Sequence, residues 1–180
     1  VMKKVLREIL STSLYLLGVL CAVYLVIHFV GQRTQVQGDS MEPKLSTEDN
    51  LILDKISYRF HDPERFDIIV FPFQYEKDTF YIKRIIGLPG ETVQIDEEGN
   101  ILIDGEILEE SYGKEVIMNP GRAYEPVELG EDEYFVMGDN RNNSTDSREP
   151  SVGNIKREDI IGRAWLRIWP FDKFGLIKHR

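Results

Sequence analysis

The sequence predicts a mainly β protein in which a single N-terminal transmembrane helix precedes an antiparallel β-sheet domain with a small inserted β-ribbon region. The only long apolar run without a charged residue extends from Ile9 to Val30. After it, short or alternating apolar runs recur between clusters of Gly, Pro, Asn and Asp, with little helical periodicity. A length of 180 residues allows one hydrophobic core plus a small appendage.

The apolar run is long enough to cross a bilayer. As a helix, its about 22 residues would span roughly 33 Å, against a hydrocarbon core of about 30 Å. Lys3, Lys4 and Arg7 precede it, and the positive-inside rule then places the N-terminus in the cytoplasm. The alternative is a cleaved signal peptide, but residues 30–34 (VGQRT) offer no A-x-A cleavage site. We therefore predict that residues 1–32 form a cytoplasmic N-terminus and an uncleaved single-pass anchor.

Charge and cysteine content exclude several classes of function. The chain has a net charge of −9, and residues 1–32 carry +2, which leaves −11 for the remainder. This acidity disfavours nucleic acid as a partner, and it argues against binding an anionic membrane through bulk charge. The only cysteine, Cys21, lies in the apolar run, so the outer domain has no disulfide, no thiol nucleophile and no Cys-based zinc site. We expect no metal and no cofactor.

The remainder of the chain divides into a β domain and an insertion. Residues 92–132 are more acidic and less apolar than their flanks, and they predict an inserted ribbon or loop region. Residues 33–91 and 133–180 predict the β domain. Glu98-Gly99-Asn100, between two alternating runs, is a hairpin signal. The predicted strands are Leu51–Ile56, Asp67–Phe73, Thr79–Ile86, Thr92–Ile95, Ile101–Ile103, Glu133–Met137 and Ile160–Trp169.

One lysine lies in unusual surroundings. Lys83 sits within the strand-like apolar stretch 80–87 (FYIKRIIG), where burial of an ammonium group is costly unless the group loses its proton. A neutral lysine amine can serve as a general base for a serine hydroxyl, which alone is a poor nucleophile. The ordinary alternative is an edge-strand lysine that points to solvent.

Three ordered segments weaken that alternative. Residues 40–45 (SMEPKL) follow the anchor, residues 83–91 (KRIIGLPGE) come next, and residues 138–148 (GDNRNNSTDSR) form a polar loop. This ordered set resembles the bacterial type I signal peptidases, which are membrane-anchored serine proteases that remove signal peptides from exported proteins. Further segments that resemble the family are 49–55 (DNLILDK), 65–71 (RFDIIVF), 161–164 (IGRA) and 171–173 (FDK).

The resemblance implies a role for each matching residue. Ser40 would be the nucleophile and Lys83 the general base, with Ser144 orienting the lysine amine. Two charged pairs would support the site, Asp139 with Arg84 and Asp146 with Arg148; the alternative is a solvated turn with ordinary surface charges. Shallow pockets for small side chains such as alanine would be lined by Val36, Met41, Leu45, Tyr81 and Ile82, unless these are simply core residues.

The implied activity has a defined setting. The substrates would be preprotein signal peptides, bound as an added strand between the segments around 36–40 and 81–83. The β domain would lie outside the cytoplasm against the lipid bilayer, in a bacterium of the Gram-positive kind. The aromatic residues Trp165, Trp169, Phe171 and Phe174 would either dip into the lipid interface or form part of the core.

The sequence departs from the family pattern at three positions. Gly38 stands where some relatives carry a serine, so no side-chain hydroxyl from that position can complete the oxyanion hole beside the backbone N–H of Ser40. Lys44 replaces the usual threonine. Phe66 stands where glycine is common in the family, so the sequence does not determine the conformation of the turn at this position.

Two rival interpretations use different chemistry. A Ser/His/Asp hydrolase would need His61 or His179 as its base, but residues 61–63 read as a turn, and His179 is expected to be frayed near the C-terminus. A non-catalytic, membrane-anchored β module would not need the Ser40–Lys83 pair. No H-E-x-x-H zinc motif is present in the sequence.

Overall fold

The computed structural model describes residues 2–29 and 31–179, and it confirms the predicted mainly β fold behind one N-terminal apolar helix. Within these residues, the helix α1 (Met2–Phe29) is followed by strands and by short 3₁₀ turns at Ser57–Arg59, Gly121–Tyr124, Arg157–Asp159 and Phe171–Lys173. The strands are β1 (Gly31–Gln35), β2 (Asn50–Asp54), β3 (Ile68–Pro72), β4 (Phe80–Gly87), β5 (Thr92–Ile95), β6 (Ile101–Ile103), β7 (Glu106–Ile107), β8 (Val127–Glu128), β9 (Glu133–Met137), β10 (Ile155–Lys156), β11 (Gly162–Trp169) and β12 (Gly175–Leu176).

The helix α1 has the length and composition of a membrane span. Its apolar stretch Lys4–Tyr24 has 21 residues, none of which is buried within the protein. An apolar surface of this size is stable only in another apolar environment, which is consistent with membrane anchoring. The helix begins earlier than the predicted run, at Met2, and the last residue of that run, Val30, lies outside the described residues.

The larger sheet carries the candidate site. Its strands are ordered β1-β2-β11-β3-β4-β9-β10, with β12 paired to β11, and every pairing is antiparallel. Strand β4 lies between β3 and β9, and its register sets Ile69 opposite Lys83. Because β4 is covered on both faces, its second half is buried without alternation.

The smaller sheet lies within the range predicted as an insertion. Its order is β7-β6-β5-β8, again antiparallel. Val93 and Ile95 of β5 pack in one apolar cluster with Phe135 and Met137 of β9, so the two sheets share a core. The predicted hairpin joins β5 to β6. At its turn Gly99 has a φ of 82°, and a Cβ there would lie 2.6 Å from the carbonyl oxygen of Ile117, which only glycine avoids.

Candidate active site

Ser40 lies on a tight turn that follows β1. Gly38 begins the turn with a φ of 82°, a conformation that favours glycine. The turn is closed by hydrogen bonds from the Glu42 N–H to the Asp39 carbonyl (3.1 Å) and from the Leu45 N–H to the Met41 carbonyl (2.9 Å). Met41 and Leu45 are both buried in the core, so the segment that carries Ser40 is anchored to the hydrophobic core.

Lys83 reaches Ser40 from the middle of β4. Its side chain is buried, with 4% of the residue exposed. Nζ donates to Ser40 Oγ at 2.8 Å and to the Ile82 carbonyl at 3.1 Å. In the neutral amine the first contact reverses, because the hydroxyl then donates to the nitrogen lone pair. The structure therefore brings together the two residues that the sequence singled out, 43 positions apart.

Burial sets the protonation of this amine. It lowers the pKa of Lys83 from 10.5 to about 8, although the negative charges of Asp146 and Asp139 raise the pKa in part. The Tyr81 ring, whose centroid lies 4.9 Å from Nζ, is a further favourable neighbour for the ammonium form. Phe73 stacks on that ring at 4.6 Å and fixes its plane. A large neutral fraction near pH 8 is what a lysine base requires.

Ser144, predicted to orient the amine, is half-buried with its Oγ enclosed, but it makes no hydrogen bond to Lys83 among the described residues. Its Oγ has no partner there, and Nζ instead uses Ser40 Oγ and the Ile82 carbonyl. Ser144 packs against Gly138: a Cβ at Gly138 would lie 2.3 Å from Ser144 Oγ and 2.4 Å from the Ser40 carbonyl oxygen. A glycine is therefore required where this loop crosses the turn that carries Ser40.

Both predicted charged pairs are formed in the interior. Arg84 and Asp139 make two parallel hydrogen bonds of 2.7 Å each, and their side chains are 0% and 2% exposed. Asp146 accepts from Arg148 at 2.8 Å and from the Gly138 N–H at 3.0 Å. Bidentate arginine–carboxylate pairs are geometrically specific, so the loop 138–148 has little freedom beside the dyad.

One residue of this loop escaped the sequence analysis. The Asn140 N–H donates to the Ser40 carbonyl at 3.0 Å, and its Nδ2 donates to the Asp39 carbonyl at 3.1 Å. Asn140 lies in a segment recognised only as a polar loop, where several asparagines look alike. Its contacts with the backbone carbonyls of Asp39 and Ser40 became visible only with the three-dimensional arrangement.

A cleft of about 560 Å³ contains the dyad. One wall is the segment 34–41 and the other is the segment 78–83, with Asn143 and Thr145 at one side. The predicted pocket residues Val36, Met41, Tyr81 and Ile82 line this cleft, whereas Leu45 does not and is buried in the core beneath it.

The histidines of the rival hydrolase do not pair with Ser40. His61 Nδ1 contacts the Asp62 carbonyl, and His179 Nδ1 accepts from the Ile68 N–H at 2.9 Å. The expectation that His179 is frayed was wrong, because its side chain is 13% exposed and burial lowers its pKa to about 4. Arg84 also donates to the His179 carbonyl at 3.0 Å, which ties the end of the described chain to the interior.

The turn at Phe66 and the aromatic residues near the C-terminus have defined conformations and exposures. Phe66 has a φ of 73°, the left-handed conformation for which glycine is common at this position. The four aromatic residues of the C-terminal part are exposed rather than core: Trp165, Trp169, Phe171 and Phe174. Among residues 2–29 and 31–179, no group of three or more His, Cys, Asp or Glu is arranged to hold a metal ion.

Known proteins share this sequence over most of its length. The profile of the family described as "Signal peptidase, peptidase S26" matches residues 8–169. "Probable signal peptidase I-2" of a Synechocystis strain is 44% identical over 155 residues, 83% of this chain and 68% of that protein. "Signal peptidase I P" of Bacillus subtilis subsp. natto is 37% identical over 161 residues, 86% of this chain and 85% of that protein. A crystal structure of signal peptidase I from Enterococcus faecalis, 33% identical, covers 57% of this chain and 97% of its own, with a TM-score of 0.45.

Proposed function

This chain belongs to the signal peptidase family, peptidase S26, and on that premise we propose that it is a membrane-bound serine endopeptidase that removes signal peptides from exported preproteins by a Ser40–Lys83 dyad. The resemblance of its ordered segments to the type I signal peptidases is confirmed at the level of the family, which makes the chain a protease and a hydrolase. The observation that carries the proposed mechanism is a buried Lys83 amine 2.8 Å from Ser40 Oγ.

Acylation begins with transfer of the Ser40 hydroxyl proton to neutral Lys83 Nζ. Ser40 Oγ forms a bond to the carbonyl carbon of the small residue at the cleavage point, and the carbonyl π electrons move to its oxygen. When this intermediate collapses, the C–N bond breaks and the Lys83 ammonium protonates the leaving amine. The enzyme is then an ester of Ser40, and the amine of Lys83 is again neutral.

Deacylation uses the same base. Lys83 takes a proton from a water molecule, whose oxygen bonds to the ester carbon. The bond from that carbon to Ser40 Oγ then breaks, and Oγ recovers the proton from Lys83. In both steps the negative oxygen needs a donor, and the N–H of Ser40 is the backbone group that we assign to it. Asp139 and Asp146 would support the site by fixing the loop. Ser144 Oγ has no partner among the described residues, so it would be available to accept a hydrogen bond from the Lys83 amine when that amine moves off Ser40 during the reaction.

Substrate binding follows from the walls of the cleft. An extended peptide would lie between the segments 34–41 and 78–83, with its main chain hydrogen-bonded as an added strand. Val36, Met41, Tyr81 and Ile82 would limit the pockets to small side chains such as alanine. Leu45, which does not line the cleft, would support the turn that carries Ser40 by packing in the core.

The membrane topology is part of the proposal. The cationic residues near the start of α1 would hold the N-terminus in the cytoplasm, and the β domain would lie on the other side. Trp169 and Phe171, whose rings meet edge to face at 4.7 Å, and the other two exposed aromatics would contact the lipid interface. A Gram-positive source stays a prediction, since the relatives come from both cyanobacteria and Bacillus.

The test of this function uses the full chain in detergent with a preprotein that carries an A-x-A site. We expect cleavage on the carboxyl side of the second alanine, and we expect the Ser40→Ala variant to be inactive. Intact preprotein after incubation with the wild-type chain would favour the rival interpretation, a non-catalytic membrane-anchored module.

We expect activity to follow the titration of Lys83. Because only the neutral amine accepts the serine proton, and burial lowers its pKa to about 8, kcat/KM should fall by about tenfold per pH unit below pH 7. It should rise to a plateau above pH 9. The Lys156→Met variant, which removes an exposed lysine, should reproduce the wild-type profile. A flat profile from pH 6 to 10 contradicts the assignment of Lys83 as base.

A further inference from the structure

The peptide group between Asp39 and Ser40 has two different neighbours. Its N–H belongs to Ser40 and is the oxyanion donor of the proposed mechanism, while its carbonyl belongs to Asp39. A peptide group is rigid and planar, so whatever fixes the carbonyl also fixes the direction of the N–H. Asn140 Nδ2 donates to that carbonyl at 3.1 Å.

Asn140 also holds the next peptide group. Its own N–H donates to the Ser40 carbonyl at 3.0 Å. One residue therefore makes hydrogen bonds to the peptide groups on both sides of the nucleophile. Asn140 is 8% exposed, and it follows Asp139, whose carboxylate is bound to Arg84 by two short hydrogen bonds. The Asn143 N–H donates to the Asn140 carbonyl at 2.9 Å and closes the turn. The two hydrogen bonds from Asn140 to the Asp39 and Ser40 carbonyls therefore come from a rigid part of the loop.

The Glu42 N–H also donates to the Asp39 carbonyl, at 3.1 Å from within the turn itself, so Asn140 supplies the hydrogen bond that joins this peptide group to the loop 138–148. No hydrogen bond among residues 2–29 and 31–179 uses the Ser40 N–H, which leaves it available to a substrate oxygen. Gly38 has no side chain, and the space where its Cβ would lie is open to 4 Å. A hydrogen bond at the carbonyl end of a peptide group also polarises its N–H and strengthens donation from it.

We propose that Asn140 is a positioning residue of the oxyanion hole: its side-chain amide orients and polarises the Asp39–Ser40 peptide group, so that the Ser40 N–H meets the negative oxygen of the acylation intermediate. This inference rests on the proposed function of the Ser40–Lys83 dyad. It assigns Asn140 no contact with the substrate, and it separates its role from that of the residues that set the charge of Lys83.

Two probes distinguish this role from general support of the loop. A peptide aldehyde ending in alanine adds Ser40 Oγ to its carbonyl carbon, passes the hydroxyl proton to Lys83, and leaves a negative oxygen in the hole. The matched peptide alcohol has the same side chains but cannot form this adduct. The ratio of the two affinities therefore reports formation of the adduct and its negative oxygen, and an unchanged midpoint of the pH profile shows that the base is intact.

The variants Asn140→Ala and Asn140→Asp both keep the backbone N–H and lose the side-chain donor to the Asp39 carbonyl. For Asn140→Ala we expect kcat and aldehyde affinity to fall in parallel, by about 10- to 100-fold, somewhat less than full removal of an oxyanion donor. Alcohol affinity, KM and the midpoint of the pH profile should stay at wild-type values. The loss should be greater for Asn140→Asp, whose carboxylate would face the Asp39 carbonyl.

Asn142→Ala is the matched control. Asn142 lies in the same loop, but its side chain hydrogen-bonds to Glu115, the Val116 carbonyl and the Met118 N–H, away from the cleft. We expect it to keep wild-type kcat and aldehyde affinity.

Several outcomes would overturn the inference. They are an unchanged aldehyde affinity in either Asn140 variant, an equal loss of aldehyde and alcohol affinity in either variant, or a displaced pH midpoint in Asn140→Ala, which adds no charge near Lys83. Should Asn140→Ala not fold, as judged by its thermal transition, Asn140→Asp carries the same test with the side-chain volume retained. Failure of the wild-type chain to cleave any preprotein would refute the proposed function, whereas normal cleavage with unaffected Asn140 variants would refute only this role.

Discussion

The Lys83→Met protein should keep its fold and lose its ability to cleave a preprotein. Methionine has a similar length but no basic nitrogen, so Ser40 Oγ loses the acceptor 2.8 Å away. The members of a catalytic unit act together, and removal of one typically costs about four or more orders of magnitude in kcat. Cleavage of a preprotein by the detergent-solubilised variant is the measurement, and Lys156→Met is the matched control at an exposed lysine.

The same substitution should leave the protein at least as stable at neutral pH. The unfolded chain binds a proton at Lys83 below pH 10.5, but the folded protein does so only below about pH 8. Within this window unfolding takes up a proton, so acidification favours the unfolded state, and the deficit is complete below about pH 8 and absent above 10.5. The pKa difference corresponds to about 3 kcal/mol.

Methionine removes this deficit and gives up the two hydrogen bonds of Nζ, each worth about 1 kcal/mol. Denaturant titrations at pH 7 and pH 10 should therefore show a stability advantage of Lys83→Met that shrinks as the pH rises. A variant that still processes signal peptides would refute the role of Lys83 as base. A variant much less stable than wild type at pH 7 would show that the buried amine of Lys83 does not reduce the free energy of unfolding, and hence that its pKa is not lowered by burial.

The second large effect concerns the ion pair beneath the site. Asp139→Ala should destabilise the protein by about 3–5 kcal/mol, because it leaves the guanidinium of Arg84 buried without a counter-charge. Among the described residues, Arg84 would keep the carbonyls of Phe66 and His179 and the face of the Tyr112 ring, 3.9 Å away. Chemical denaturation of the full chain in detergent measures the change in the free energy of unfolding.

An exposed pair supplies the comparison. Asp62 lies 3.3 Å from Arg157, with 86% of its side chain exposed, and Asp62→Ala should cost about 0–1 kcal/mol. The double variant Arg84→Met with Asp139→Ala should recover part of the stability lost by Asp139→Ala alone, since no unpaired charge remains. Equal, small effects at the buried and exposed aspartates would contradict the account of the buried pair.

The sequence predicted the strands that carry their own apolar pattern and missed those that depend on a partner. Strand β1 (GQRTQ) is polar and forms because β2 offers a full antiparallel register. Strands β7, β8, β10 and β12 have two residues each, so they are too short for any periodicity. The predicted β2 and β3 were longer than the observed strands, because the apolar residues Ile56 and Phe73 lie just beyond the positions at which each strand ends.

The candidate site was predictable to the extent that single residues stand out from their surroundings. Lys83 did so because an ammonium group within an apolar strand is unfavourable, and the family resemblance supplied its pairing with Ser40. Asn140 did not, because its role depends on which carbonyl its amide reaches. The burial of His179 was equally hidden, since only tertiary contacts can fix a residue so close to a chain end.

The most direct test of the account is the pKa of Lys83 itself. Nitrogen-15 NMR of the full chain in detergent, with the Lys83 signal assigned by its absence from Lys83→Met, follows the amine through its titration independently of activity. The account predicts half-protonation near pH 8, well below the ordinary lysine value of 10.5. A Lys83 midpoint near 10.5 would mean that the amine is charged at neutral pH and cannot accept the serine proton.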